Sequence, residues 1–108
     1  MRVTFWGAYG AAGLNVEHGE LKLCHVTQHP RGSMAADDAL VRAAEGADLL
    51  IYPGAWEEGL ALKERASVRL LALAPADHPE SEWARLAEAA TQKSANVFFA
   101  RRKMRIDL

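Results

Sequence analysis

Two short stretches constrain this chain more than anything else in it. Asp48-Leu49-Leu50-Ile51-Tyr52 is apolar without alternation after its first residue, and so, apart from Arg69, is Val68–Ala74. Each is stopped by proline, at Pro53-Gly54 and at Pro75. A strand with water on one face alternates polar and apolar residues. A continuous apolar run is buried on both faces, as in parallel sheets whose crossovers cover them with helices. Helical patterns flank both runs. Ser33 is a natural N-cap, with Asp37 and Asp38 near the positive end of the helix that follows. Ala36, Leu40, Ala43 and Ala47 form its apolar stripe and Gly46 ends it. Trp56 to Ala66 holds a second, short helix, interrupted early by Gly59.

The remaining segments extend this alternation. Arg2–Trp6 reads as a buried first strand and Gly7–Gly13 as a glycine-rich loop. The segments 14–17 and 20–23 flank His18-Gly19, so a small hairpin is expected there, with Leu21–Val26 the better strand. Thr27–Gly32 is a loop. Asp77-His78-Pro79-Glu80 opens like a capping box, and Trp83, Leu86, Ala87 and Ala90 fall at helical spacing behind it. Asn96–Ala100 is a last strand, and 101–108 a short basic tail or terminal strand. Strand and helix alternating from Leu21 onward imply right-handed crossovers. The expectation is one α/β domain over 1–108: a three-layer, Rossmann- or flavodoxin-like sandwich with a mostly parallel sheet of about five strands. Ligands of such sheets bind beyond the carboxyl ends of the strands. Gly7–Gly13, Thr27–Ser33, Pro53–Glu58 and Pro75–His78 meet at that edge.

Half of the 108 residues are hydrophobic and a quarter charged, enough apolar material for one core without disulfide or metal staples. Cys24 is the only cysteine, which excludes an internal disulfide and suits a reducing compartment. No apolar run is long enough to span a bilayer, and the N-terminus has no signal-peptide pattern, so no membrane partner and a cytoplasmic location are expected. Residues 101–108 carry four cations and one acid, net +3, leaving −4 for the remainder of a chain whose total is −1. A mildly acidic body with a basic tail lacks the broad basic face of a dedicated nucleic-acid binder.

Several groups carry chemistry, each with a plainer alternative. Gly7, Gly10 and Gly13 lack the Gly-Lys-Ser/Thr of a P-loop, and the few residues before Leu21 leave no room for a dinucleotide-binding helix. They are a ligand-lining loop or a flexible turn. Cys24, His25 and His29 resemble metal ligands in type, but neighbours on a strand point to opposite faces, and a fourth ligand would have to come from His18 or His78. No metal and no cofactor are expected. Arg31 beside Ser33 at a helix start suits a phosphate, or is a surface arginine beside an ordinary cap. Trp56-Glu57-Glu58, directly after Pro53-Gly54, offers an indole to stack and a carboxylate to react. Its plain alternative is acids favouring a helix's first turn.

The run from Ala47 to Ala61, with Asp48 ahead of an apolar strand and then Trp56-Glu57-Glu58-Gly59-Leu60-Ala61, resembles the nucleoside 2-deoxyribosyltransferase-like family. Phe5-Trp6-Gly7-Ala8-Tyr9 is similar to the family's opening strand and loop, Asp38 to its acidic residue on the preceding helix, and Asn96-Val97-Phe98 to its late Asn-apolar segment. The resemblance implies a nucleoside or nucleotide ligand. It further implies an N-glycosidic-bond transferase or hydrolase in which Glu57 attacks the anomeric carbon and Asp48 orients. Tyr9 or Trp56 would pack on sugar or base, and Asn96 would serve a site across a homodimer interface. Gly7, Arg31, Ser33, Gly54 and Asp77 complete the expected binding set. The rival reading is a non-catalytic ligand-binding or protein-interaction module anchored by Trp6, Trp56 or Trp83.

Overall fold

A computed structural model describes residues 1–74, 85, 88 and 96–99. Among these the chain forms β1 (Arg2–Ala8), β2 (Ala11–His18), β3 (Leu21–Gln28), α1 (Met34–Ala44), β4 (Leu49–Tyr52), α2 (Trp56–Ala66), β5 (Leu70–Leu73) and β6 (Val97–Phe99). The strands make one sheet in sequence order, β1-β2-β3-β4-β5-β6. β1, β2 and β3 are antiparallel neighbours, whereas β3, β4, β5 and β6 are parallel.

This corrects the expected mostly parallel, three-layer Rossmann- or flavodoxin-like sandwich. Half of the sheet is an antiparallel meander, and both described helices lie on one face. Leu40 and Ala44 of α1, and Leu62 and Ala66 of α2, share one buried cluster with Cys24, Val26, Leu50, Tyr52, Leu71 and Leu73. Those strand residues point to a single face by the two-residue alternation. The reason lies in strand order. Right-handed crossovers that step the same way leave their helices on the same side, and the reversal of order that a second helical layer needs is absent among the described strands.

The segment expected as a Gly7–Gly13 loop is a hairpin. Ala8 pairs with Ala11 across a two-residue turn, Tyr9-Gly10, with φ of 55° and 87°. Positive φ at both turn positions matches the right-handed twist of the flanking strands. Gly13 lies inside β2, where a Cβ would stand 2.7 Å from Trp6 Cζ2 and would also press on the His25 carbonyl oxygen. The glycine is what leaves room for the indole. The second hairpin turns at Gly19-Glu20, one residue later than the His18-Gly19 turn expected, with His18 ending β2 and paired to Leu21. α2 runs unbroken through Gly59, whose bare Cα lets the helix sit close to Leu73 and Tyr52.

Leu40, Leu50, Leu71 and Leu73 are fully buried. Each contributes about 1.5–3 kcal/mol by leaving water. The parallel half is pinned at its start by Asp48. Its Oδ2 accepts the Lys22 N–H at 2.8 Å, while its own N–H donates to the Lys22 carbonyl at 2.8 Å.

Candidate functional site

β3 and β4 are parallel neighbours in the register Cys24–Leu50, so their carboxyl ends rise together. Just past those ends a continuous polar chain runs across the sheet edge. Asp37 Oδ1 lies 2.5 Å from His29 Nε2, His29 Nδ1 lies 2.5 Å from the Tyr52 hydroxyl, and that hydroxyl donates to Glu58 Oε2 at 3.0 Å. Each member is placed by a different element. His29 follows β3, Asp37 stands in the first turn of α1, Tyr52 ends β4, and Glu58 stands in the first turn of α2. Ser33 caps α1 by accepting the Ala36 N–H at 3.1 Å, which fixes the turn that carries Asp37.

The phenol's one proton goes to Glu58. His29 meets an oxygen with each ring nitrogen, the Tyr52 hydroxyl at Nδ1 and the Asp37 carboxyl at Nε2, so both of its polar atoms are engaged. The His29 side chain is only 6% exposed, so these two hydrogen bonds are shielded from water. Burial, then the hydrogen bond to Glu58, then the charges of Glu58 and Asp37 hold the Tyr52 hydroxyl far above the usual phenol range. Tyr52 stays neutral and acts as a strut for Glu58. Burial pushes the Cys24 thiol up to about 11 against weaker pulls from Lys22 and Trp6, so this sulfur is no nucleophile at neutral pH.

A cavity of about 150 Å³ opens against this chain, between the β3–α1 loop and α2. His29, Arg31, Asp37 and Glu58 form its polar wall; Ala61 and Leu62 form its apolar one. The α2 residues that line it, Glu58, Ala61, Leu62 and Arg65, are spaced as one helical stripe. Arg65 is steadied by Asp38 at 2.7 Å. That pair is half exposed on both sides and contributes little stability. Glu58 Oε1 and the Arg31 guanidinium have no hydrogen-bond partner among the described residues, and both belong to the cavity wall.

The residues singled out in the sequence scatter around this centre. Arg31 lines the cavity, and Ser33 supports it as a cap. Glu57 is exposed, and Glu58, one position on, faces the cavity. Trp56 packs against the core and Gly54 lies against the Tyr52 ring. Tyr9, 73% exposed, sits in a turn where a Cβ on Gly10 would meet Pro30, on the same sheet edge but outside the cavity wall, and Gly7 lies in β1. Asp48 is at the other end of β4, bonded to Lys22, and Asn96 precedes β6 at that same far edge, accepting the Leu71 N–H at 3.0 Å. Asp77, His78, Trp83 and the 101–108 tail lie outside the described residues. Sequence reasoning passed over Asp37, Tyr52 and Glu58 as site residues. The available signal was that Tyr52 ends an apolar strand beside a strand that runs into His29, each followed at once by a helix start carrying an acid.

Among the described residues no three His, Cys, Asp or Glu side chains converge as metal ligands would, and no helix is long and apolar enough to cross a membrane. The chain matches no protein-family model and no curated protein sequence.

Proposed function

We propose that the protein binds a nucleoside or nucleotide through one of its rings, in the cavity beside His29, Tyr52 and Glu58. The observation that carries this reading is the size and lining of the cavity. About 150 Å³ is the volume of a site that takes a single six-membered ring, well below that of a drug-sized pocket. A sugar ring with several hydroxyls fits a wall that offers acceptors at Asp37 and Glu58, a donor at Arg31, and an apolar floor at Ala61 and Leu62. A phosphate on that sugar would meet Arg31 beside the capped start of α1.

The finer version of the proposal is chemical. Glu58, rather than Glu57, presents an oxygen free to meet an anomeric carbon, and Tyr52 holds its other oxygen in place. Cleavage or exchange at an N-glycosidic bond would then run through Glu58. The imidazole is already committed on both nitrogens, which favours a positioning role for His29 and keeps a purely binding function as the second reading.

Thermal unfolding with nucleosides, nucleoside monophosphates and ribose 5-phosphate tests the binding step. A ligand at a hundred times its Kd stabilises by about 2.7 kcal/mol. Glu58→Gln is expected to lose most of that shift and Glu57→Gln to keep it. No shift with any of these compounds at millimolar concentration, or equal behaviour of the two variants, would overturn the assignment.

A further inference from the structure

We propose that β1 is where two copies of this chain pair, antiparallel, about a two-fold axis through Phe5. β1 ends the sheet among the described residues, and Arg2, Val3, Thr4, Phe5 and Gly7 are exposed along it. Phe5 is 79% and Val3 47% exposed, both on the face that α1 and α2 leave open. A free edge of this length is normally guarded by proline, lysine, an inward charge or a bulge. β1 has none of these: its register with β2 is unbroken from Arg2 to Ala8, and Arg2 is its only charge.

The hairpin turn sets which backbone groups are free. In a two-residue turn with both φ positive, the flanking pair, here Ala8 and Ala11, exchanges hydrogen bonds. Bonded pairs then recur at every second position, so Trp6, Thr4 and Arg2 bond inward to β2. The N–H and C=O groups of Val3, Phe5 and Gly7 point outward. A strand that pairs with its own copy antiparallel makes a closed, two-fold contact. The register that satisfies all three outward residues at once places Phe5 opposite Phe5 of the second copy, and Val3 opposite its Gly7. Arg2 then faces an alanine, and no like charges meet.

Gly7 gives independent support. Its φ is not positive, and a Cβ there would meet only Ala11 O at 3.5 Å and Ala12 Cβ at 3.9 Å, ordinary contacts. Nothing among the described residues requires glycine at this position, in contrast to Gly13. A strand glycine without an internal reason marks the approach of another backbone. Across the two-fold, the Phe5 ring reaches diagonally over Gly7 of the second copy, where the missing side chain leaves it a seat.

Sedimentation equilibrium of the full chain, with cysteine cross-linking, tests the register. Wild type is expected to be a dimer that dissociates on dilution, and Phe5→Lys a monomer with an unchanged circular dichroism spectrum. Phe5→Cys is expected to cross-link under mild oxidation. Its two copies sit at a bonded pair about 5.5 Å apart between Cα atoms, inside the disulfide range of about 4.4–6.8 Å. Val3→Cys is not expected to cross-link, because its copies are offset by four residues, roughly 13 Å; the Val3→Cys, Gly7→Cys double variant should. Cys24 is buried and takes no part. A wild type that stays monomeric at every concentration, or a Val3→Cys variant that cross-links as readily as Phe5→Cys, would sink the proposal, the first result leaving the edge to an extended segment of another protein.

Discussion

The two halves of the sheet are built on different rules and carry different duties. From β1 to β3 the chain turns back on itself twice through two-residue turns, and most of β1 faces water. From β3 to β6 every step is a parallel neighbour, and Leu50, Tyr52, Leu71 and Leu73 are wholly enclosed. The enclosed half holds the cavity and the open half the unguarded edge. Stability therefore concentrates on one side of β3, while surface for association concentrates on the other.

Substitutions measure how sharp that division is. The largest effect is expected in the parallel half: Leu71→Ala should cost about 3–4 kcal/mol in urea unfolding, since it leaves a cavity in the core. Gly13→Ala should break the simple rule that the meander is tolerant. Its new methyl meets the Trp6 ring and a backbone carbonyl that cannot step aside, so a loss of roughly 3 kcal/mol is expected, at the top of the range for overpacking. Tyr52→Phe removes the hydroxyl partner of His29 and the donor to Glu58 while keeping the ring, and a loss of about 1–3 kcal/mol at pH 7 is expected.

The same tyrosine and Cys24 fix a pH dependence. Both have folded-state pKa values raised above those of the unfolded chain, so the stability they confer is complete below the unfolded values and disappears as pH rises. The thiol's share should fade between pH 9.0 and about 11, and the phenol's from pH 10.0 upward. Wild type should show both losses in a pH series of melting temperatures, and Tyr52→Phe only the first. The smallest effect is expected at the open edge. In protein dilute enough to be monomeric, Phe5→Ser should shift stability by no more than about 0.5 kcal/mol.

The parallel half was the more legible in the sequence, because burial on both faces writes itself as an uninterrupted apolar run, as at Leu49–Tyr52. The Ser33 cap was legible too, being local chemistry, and so was the second hairpin, to within one residue of its turn. The first hairpin was not. Gly7 and Gly13 interrupt the two-residue alternation, and the turn places Tyr9, a residue without special freedom, at positive φ. The number of layers was illegible for another reason, since it depends on the order of strands and no single segment encodes that. In the site, the choice between Glu57 and Glu58 depended on the phase of α2. Gly59, Leu62 and Ala66 turn toward the sheet, which swings Glu58 to the cavity and Glu57 outward.

β3 belongs to both halves, and this gives assembly a direction in time. Two-residue hairpins close in about 1–10 μs, whereas β4 must wait for the connection through α1 to be gathered in. The meander is then the template and β4 the first strand laid upon it, beginning where Asp48 and Lys22 exchange hydrogen bonds. Pulse-labelled amide exchange during refolding would show protection spreading outward from β2 and β3. Protection in β4 and β5 before the hairpins would reverse that order.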